Sequence, residues 1–409
     1  MKVLFVWDSD YPWDIRVEKI CNTLLENGWK VHLVCRNRLR RPTEEIYNGI
    51  HIHRLPFLPR FMGSLNEAFS FPAFFSPLWL SRMNVVAKDY GVDLVIVRDL
   101  PMALTAVLVA KFQRIPVIFD MAEVYPELIR NKWKFEPFEV QNVFFRNPLI
   151  VDFVEHLVVR RVDHIFAMVE ESLNRLIEKG VSPDKITIVS NTPIPGRFET
   201  AEATFPGLLR ENKGKLLMLY VGFFNFSRGL DTALVSLKEF TERNNNRVYL
   251  TLLGNGSAEN YLKEMVRKLG LESHVGFAGW VDNKFVPEYV ASSDICLVPH
   301  HKCGHWDHTI PNKLFDYMAA GKPVLVSDVK PMKRIVEQAN CGLVYKDGDS
   351  GCFVSQLEKL QDRGLRIELG KNGARAVKKH YNWVNDSNRM LNSIRRVLNK
   401  GVKIEQSED

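Results

Sequence analysis

Between His308 and Asp328 the chain reads HTIPNKLFDYMAAGKPVLVSD, which sets Asn312, Lys313 and Asp316 at the start of a helical pattern. Pro311 suits the first turn of a helix, where its missing N–H costs nothing. Lys313 falls in that turn, where the helix dipole disfavours a cation unless an anion is bound there too. Asp316 follows at i+3, about 4.5 Å along the axis, with a carboxylate that can accept two hydrogen bonds from a vicinal diol such as a ribose. One helix start would then hold a phosphate and a ribose. A surface ion pair between Lys313 and Asp316 has the same spacing.

Three further loops carry residues of this kind. In YVGFFNFSRGLD, residues 220–231, Gly222 permits a tight turn and Arg228-Gly229 precedes a helical pattern. Free N–H groups at a helix start favour an anion, and an arginine adds a bidentate phosphate contact. A plain strand-to-helix turn with a surface arginine reads alike. Gly254, Asn255 and Gly256 in LLGNGS either let a ligand approach the backbone or form a simple turn. In FAGWVD, Trp280-Val281 would flank a flat base, or Trp280 packs as an ordinary tryptophan. His300, His301, His305, His308 and Cys303 crowd one loop. Their spacing matches no closed tetrahedral zinc site, so they read as loop ligands for a polar substrate, and no metal is expected.

Such loops need strands to aim them. Apolar runs predict strands at 2–7, 30–35, 49–55, 93–97, 116–120, 163–168 and 186–189. Helical spacing lies between most of them, as at Val17, Ile20, Cys21, Leu24 and Leu25, at 101–112 and at 170–178. The pattern repeats with strands at 216–222, 247–253, 274–278, 294–298, 323–327 and 342–345. Helices are predicted between these at 229–242, 257–269, 285–291, 312–319 and 331–338, and one long helix over 367–399. Alternation of this kind predicts an α/β protein of two doubly wound parallel-sheet domains. The Pro- and Gly-rich stretch 192–215 divides them into domains over 1–200 and 201–379, with the C-terminal helix, 380–409, packing back on the first. Ligands bind such sheets beyond the carboxyl ends of the strands.

Composition narrows the function classes. Over 409 residues, 46% are hydrophobic and 25% charged, the balance of soluble globular domains. A net charge of +7 suits an anionic membrane surface or a phosphate-bearing substrate, and no nucleic-acid-binding motif accompanies it. The six cysteines show no paired spacing, the start has no signal-peptide pattern, and no apolar run can span a bilayer. The expectation is a cytoplasmic protein with reduced thiols. The segment 56–82, rich in Phe, Leu and Pro, reads as a membrane-surface patch or as a core helix with a linker.

The segments PNKLFDYMAAGKPVLVS, YVGFFNFSRGLD, LLGNGS, FAGWV and SSDICLVP resemble, in order and spacing, the C-terminal domain of retaining GT-B glycosyltransferases of family 4. DIRVEKICNTLLENGWKVHLVC, PVIFDMAEVYPEL and HIFAMVEESLNRLIEKG resemble its N-terminal domain. The resemblance implies two Rossmann-like domains facing an interdomain cleft, with a nucleotide-sugar donor, a UDP-sugar, on the second and the acceptor on the first. It implies transfer with retention and no obligatory metal or cofactor. Asp316 takes the place of the acid that holds the ribose, Arg228 that of a diphosphate-binding lysine, and Trp280 and Val281 lie near the base. Backbone N–H groups around Thr309, Ile310, Pro311 and Asn312 cradle sugar and diphosphate.

Departures from the pattern are specific. His308, eight positions before Asp316, replaces an acid that binds the donor sugar, which points to an unusual sugar. Phe223 replaces an arginine, and Lys313 would supply the missing charge. Ala122 replaces a histidine, while Glu123 is retained. Glu123 is the first candidate for a polar group at the reacting centre and Asp99 the second; capping a helix, or pairing with Arg98 or Arg130, would serve equally. Asp120, Asp14 and Arg16 complete the acceptor side, where Arg16 would face the diphosphate and Asp14 would serve as a helix N-cap. Together with 56–82, the resemblance implies a polyprenyl-linked acceptor in bacterial surface polysaccharide assembly, a peripheral place on the inner face of the plasma membrane, and no nucleic acid. The alternatives are a GT-B nucleotide-sugar epimerase or hydrolase, and a non-catalytic partner subunit with the same fold.

Overall fold

Apolar runs too long to alternate, set between amphipathic helices, produce parallel sheets covered on both faces. The computed structural model of the chain describes residues 1–12, 14–56, 74–135, 147–243 and 247–405, with side chains described to 399. It divides into two units. One comprises Met1–Arg130, Phe138–Val189 and Ser387–Asp409, and the other Asn131–Pro137 and Ser190–Asp386. This division falls at 189/190, earlier than 200/201, because the residues after the last strand of the first unit bond within the second. Trp383 N–H donates to Pro193 O at 2.9 Å, and Thr192 Oγ1 to Asp386 Oδ2 at 2.5 Å.

The first unit holds strands β1 (Lys2–Asp10), β2 (Lys30–Arg36), β3 (Glu44–Tyr47), β4 (Ile50–Arg54), β5 (Leu94–Arg98), β6 (Val117–Met121), β7 (His164–Ala167) and β8 (Ile186–Ile188). Their order is β3-β4-β2-β1-β5-β6-β7-β8. All pairs are parallel except β3 with β4, a hairpin closed by Asn48-Gly49. Both turn residues have positive φ, the geometry that matches strand twist in a two-residue turn. The strand expected at 49–55 corresponds to β4, and the sequence reading includes no strand at β3.

The second unit holds β9 (Leu216–Val221), β10 (Val248–Leu253), β11 (Val275–Gly279), β12 (Ile295–Val298), β13 (Val324–Ser327) and β14 (Gly342–Tyr345), all parallel, in the order β11-β10-β9-β12-β13-β14. The order reverses between β9 and β12. Chain leaving the carboxyl ends of those two strands therefore diverges and opens a crevice, the position at which doubly wound sheets take ligands.

Helices Pro77–Tyr90, Tyr125–Phe135 and Pro148–Arg161 add to those given ranges from the sequence. No single helix covers 367–399: helices Arg363–Lys379 and Trp383–Glu405 are separated at Asn382. Its Nδ2 donates to Val377 O and Lys378 O, ending one helix, while its Oδ1 accepts Asn385 N–H at the start of the next. The second helix meets the first unit through Arg389 Nε donating to Ile188 O at 3.1 Å and Ser393 Oγ beside Thr187 Oγ1 at 2.8 Å.

Most of the segment 56–82 lies outside the described residues. Its described end enters the helix Pro77–Tyr90, and Trp79 is fully buried in the core of the first unit. That part packs as core, the plainer of the two readings. Among the described residues no helix is long and apolar enough to cross a membrane. All six cysteines are free thiols, four of them buried.

Candidate functional site

Two loops leave the β9/β12 crevice. After β9 come Gly222, a short 3-10 turn Phe226–Arg228, Gly229 and the helix Leu230–Arg243. After β12 come Pro299, the histidine-rich loop and the helix Asn312–Ala319. The loops lock together. His301 N–H donates to Ser227 O at 3.0 Å. A Cβ on Gly229, whose φ is +64, would stand 1.9 Å from Pro299 O. This contact carries Arg228 against His300: Nη1 donates to Nε2 at 3.0 Å. The guanidinium also lies 4.3 Å from the centroid of the Trp306 ring, which contacts His300 at a tilt of 42°.

Lys313 reaches back beneath the first loop. Its Nζ lies 3.8 Å from the centroid of the Tyr220 ring and has no hydrogen-bond partner among the described residues, so it is not hydrogen-bonded to Asp316. Tyr220 is itself held by its hydroxyl, which donates to Phe223 O at 2.9 Å. Burial, and then the Arg228 charge, push the Lys313 amine well below its usual range. The same two causes hold His300 neutral.

Four buried nitrogens gathered here lack any hydrogen-bond partner among the described residues: Arg228 Nε, His300 Nδ1, Trp306 Nε1 and Lys313 Nζ. The helix Asn312–Ala319 also starts at Pro311 without a side-chain cap. Buried polar groups are ordinarily satisfied. Four in one crevice, beside an uncapped helix start, make a place that lacks an acceptor of hydrogen bonds.

The remaining predicted residues of the second unit fall around this centre. Thr309, Ile310 and Pro311 are buried and Asn312 half-buried, as is Asp316 in the second turn of the helix. His308 Nδ1 donates to Gly304 O at 2.7 Å, which fixes its ring within its own loop. Gly254 and Gly256 admit backbone, since a Cβ on each would meet Gly222 O at 2.1 Å and Phe224 O at 2.4 Å. Asn255 O accepts Phe224 N–H at 2.7 Å. Their lack of side chains thus serves loop-to-loop packing. Trp280 is not packed: it is 59% exposed beside Phe223 at 53%, ring centroids 5.9 Å apart, with Val281 half-buried next to it.

The first unit gathers its polar residues at the carboxyl ends of β1, β5 and β6. Asp14 caps the helix Ile15–Glu26, its Oδ1 accepting from Arg16 N–H at 2.9 Å and Val17 N–H at 3.0 Å, and it pairs with Arg98. Arg16 is pinned by a carboxylate, while its Nη1 is buried without a hydrogen-bond partner among the described residues. The residue is 1% exposed, and Nε and Nη2 grip Asp120, itself wholly buried, at 2.9 and 2.5 Å. Nη2 also donates to Val189 O. A charge in the interior needs its partner, and each takes the other.

Asp99 and Glu123 lie together. Asp99 Oδ1 accepts Glu123 N–H at 3.0 Å, and Oδ2 stands 3.6 Å from Arg98 Nε. Asp99 starts a helix without capping it by its side chain, and its φ of 61° and ψ of 165° belong to a region that is essentially glycine's. Such strain gathers at functional positions. Burial raises the Asp99 carboxyl well above its usual range, Arg98 opposes this, and Glu123 and Asp8 add to it. Trp7 Nε1 and Arg98 Nε, both buried, have no hydrogen-bond partner among the described residues. No group of three metal-ligating side chains assembles among the described residues.

Comparison with known proteins bears on both units. Residues 203–376 match the family described as glycosyl transferases group 1, and residues 14–192 match the glycosyl transferase 4-like domain. The chain belongs to the group 1 glycosyltransferases. It is 23% identical over 215 residues to an uncharacterised glycosyltransferase of Methanocaldococcus jannaschii, covering 51% of this chain and 53% of that one. It is 28% identical over 129 residues to the lipopolysaccharide core biosynthesis glycosyltransferase LpsE of Rhizobium meliloti, covering 31% and 35%. The chain thus spans about half the length, or less, of these curated relatives. Sucrose-phosphate synthase of Thermosynechococcus elongatus has a similar fold, with a TM-score of 0.77 at 18% identity, covering 98% of this chain and 99% of that one. Anabaena HepE, solved with UDP and with UDP-glucose, has a TM-score of 0.72 covering 97% and 100%, at 15% and 14% identity respectively. These likenesses establish the two-domain GT-B fold.

In this glycosyltransferase the sequence reading names four histidines of the loop alike and sets His308 at the donor sugar; the structure brings His300, Trp306 and Tyr220 to Arg228 and Lys313. The available signal was position. His300 is the second residue after β12, at the strand end where the sheet order reverses.

Proposed function

We propose that this group 1 glycosyltransferase moves a sugar, with retention, from a UDP-sugar to an acceptor that is lipid-linked and belongs to bacterial surface polysaccharide assembly. The observation that carries the donor reading is the set of four buried nitrogens without acceptors beside an uncapped helix start. A diphosphate supplies the missing acceptors. Arg228 and Lys313 then stabilise the charge that grows on the leaving UDP, and the Thr309–Asn312 backbone cradles sugar and diphosphate. Asp316 holds the ribose, and the exposed Trp280 flanks the base. The UDP complexes of HepE support uracil as that base. In the first unit Glu123, held by Asp99, is the polar group of the acceptor side. Relatives named for lipopolysaccharide core and amylovoran biosynthesis support the class of acceptor.

The test is a thermal-shift screen with UDP-, GDP- and dTDP-sugars, followed by mass spectrometry of product formation. A UDP-sugar should raise the melting temperature, the shift growing with the logarithm of its excess over Kd. Arg228→Ala should abolish the shift and lower turnover about 100-fold. The anomeric configuration of the product, read by NMR, reports retention. Binding of no nucleotide sugar, or unchanged binding by Arg228→Ala, would overturn the donor reading. Sugar release to water with every acceptor would favour a hydrolase.

A further inference from the structure

The opposite edge of the second unit's sheet carries a cavity of about 410 Å³. It lies at the amino ends of β9, β10 and β12, away from Arg228 and Lys313. Lys215, Arg247, Arg363 and Arg366 line it, with Asp294 as the single carboxylate. Phe240 and Leu216 form its apolar wall.

Two of the cations are fixed in place. Arg366 Nη1 donates to Leu360 O at 2.7 Å and Gln361 O at 2.9 Å, with Nη2 3.7 Å from Asp294 Oδ1. Lys215 Nζ donates to Ser273 O at 3.1 Å. Asp294 is spent on the sheet, since its Oδ2 accepts Leu217 N–H at 2.9 Å. Arg247 and Arg363 are exposed, and among the described residues neither has an ion-pair partner. The nearby helix start does not contribute, because Asp362 already accepts from Gly364 N–H and Leu365 N–H. Four cations facing one another around a single committed carboxylate repel unless an anion joins them. The volume lies in the range of small-ligand sites.

We propose that this cavity binds a compact anion carrying two or more phosphate or carboxylate groups, at a place distinct from the nucleotide-sugar. Arg247 and Arg363 supply forked donors to its charged groups, Lys215 and Arg366 fix its orientation, and Phe240 and Leu216 receive its apolar part.

Calorimetric titration of the full chain with inorganic pyrophosphate, at physiological ionic strength so that loose surface attraction is screened, tests this. Wild type should show two sites. Arg228→Ala should lose one. The double variant Arg247→Ser, Arg363→Ser should lose the other, its affinity falling about tenfold or more for each charge-assisted contact removed. Its melting temperature should not change, since both side chains are exposed. A double variant that keeps both sites, or a wild type whose only site disappears with Arg228→Ala, overturns the proposal. If Arg228→Ala keeps both sites while the double variant loses one, this cavity stands and the donor reading falls. Sedimentation with phosphatidylglycerol vesicles that the double variant abolishes assigns the anion to a lipid headgroup. Equal sedimentation of both proteins assigns it to a free solute.

Discussion

Arg228 Nη1 donates to His300 Nε2 across 3.0 Å, and because a guanidinium only donates, the proton of the neutral imidazole sits on Nδ1. That Nδ1–H is buried and has no partner among the described residues. The pair therefore does two things: it aims the arginine, and it leaves one further donor for a ligand.

Replacing His300 by Leu removes both. Arg228 loses the acceptor that orients it, at a cost of about 1–3 kcal/mol for a buried donor left unmade. We expect UDP affinity to fall roughly 10- to 100-fold by calorimetry. Because burial, followed by Arg228, keeps His300 neutral well below pH 6.5, nucleotide affinity should show no step from this residue between pH 6 and 8. A clear step there that His300→Leu removes would contradict the assigned tautomer.

Lys313 should be a liability to the empty protein and an asset to the occupied one. Its folded pKa is depressed, so the folded state binds fewer protons and loses stability as pH falls below the unfolded value of about 10.4. Lys313→Met keeps the stem and removes the amine. It should raise the melting temperature at pH 7 by roughly 2–8 °C, with the gain shrinking toward pH 10.5. The same variant should bind UDP more weakly. A fall in melting temperature at pH 7 would show that the amine has a partner in the empty protein.

His301 holds the loop that presents His300. Its Nδ1 donates to Asp347 Oδ1 at 2.8 Å and its Nε2 to Asp231 Oδ1 at 2.9 Å, so the ring is charged. Hydrogen bonds from the ring to Asp231, then to Asp347, carry its pKa up to about 9. The unfolded value is about 6.5. The clamp therefore contributes fully below that value and is lost as pH rises through about 9, an effect of about 3 kcal/mol at most. Urea midpoints measured from pH 6.5 to 9.5 should decline in wild type and flatten in His301→Asn. Parallel curves would remove the clamp from the account.

Asp120 should matter for folding and not directly for ligands. Asp120→Ala leaves the Arg16 guanidinium buried without its carboxylate, a loss of about 3–5 kcal/mol. A urea transition moved to lower concentration, with nucleotide affinity unchanged at temperatures where the variant is folded, is the expected result. A variant as stable as wild type but with altered nucleotide affinity would return Arg16 to the ligand.

Much of the fold could be read locally. Each strand of the second unit is a short apolar run bounded by turn residues, as LLMLYV before Gly222 and VLVS after Pro323, and each lies within a residue or two of its expected place. The edge strand β3 is hard to read because EEIY is only four residues long and half charged, although the Asn48-Gly49 turn that joins it to β4 is a local signal. The break at Asn382 was hidden because the apolar period continues across it, and the capping amide shows its use only in three dimensions.

The candidate site was legible as loops and not as partners. Arg228, Lys313 and Asp316 stand out as candidates because residue type and helix position carry information at short range. Which histidine would meet Arg228 depended on strand order, which puts β12 beside β9 and so sets His300, not His308, against the first loop. Arg16 and Asp120 stand 104 residues apart, and no local pattern joins them. An arginine at a loop end is a ligand group if it stays wet and a structural pin if it is buried against a carboxylate. Burial is a property of the packed chain: periodicity and turn chemistry specify the elements, whereas the close packing of those elements settles which charges find each other and which are left to await a ligand.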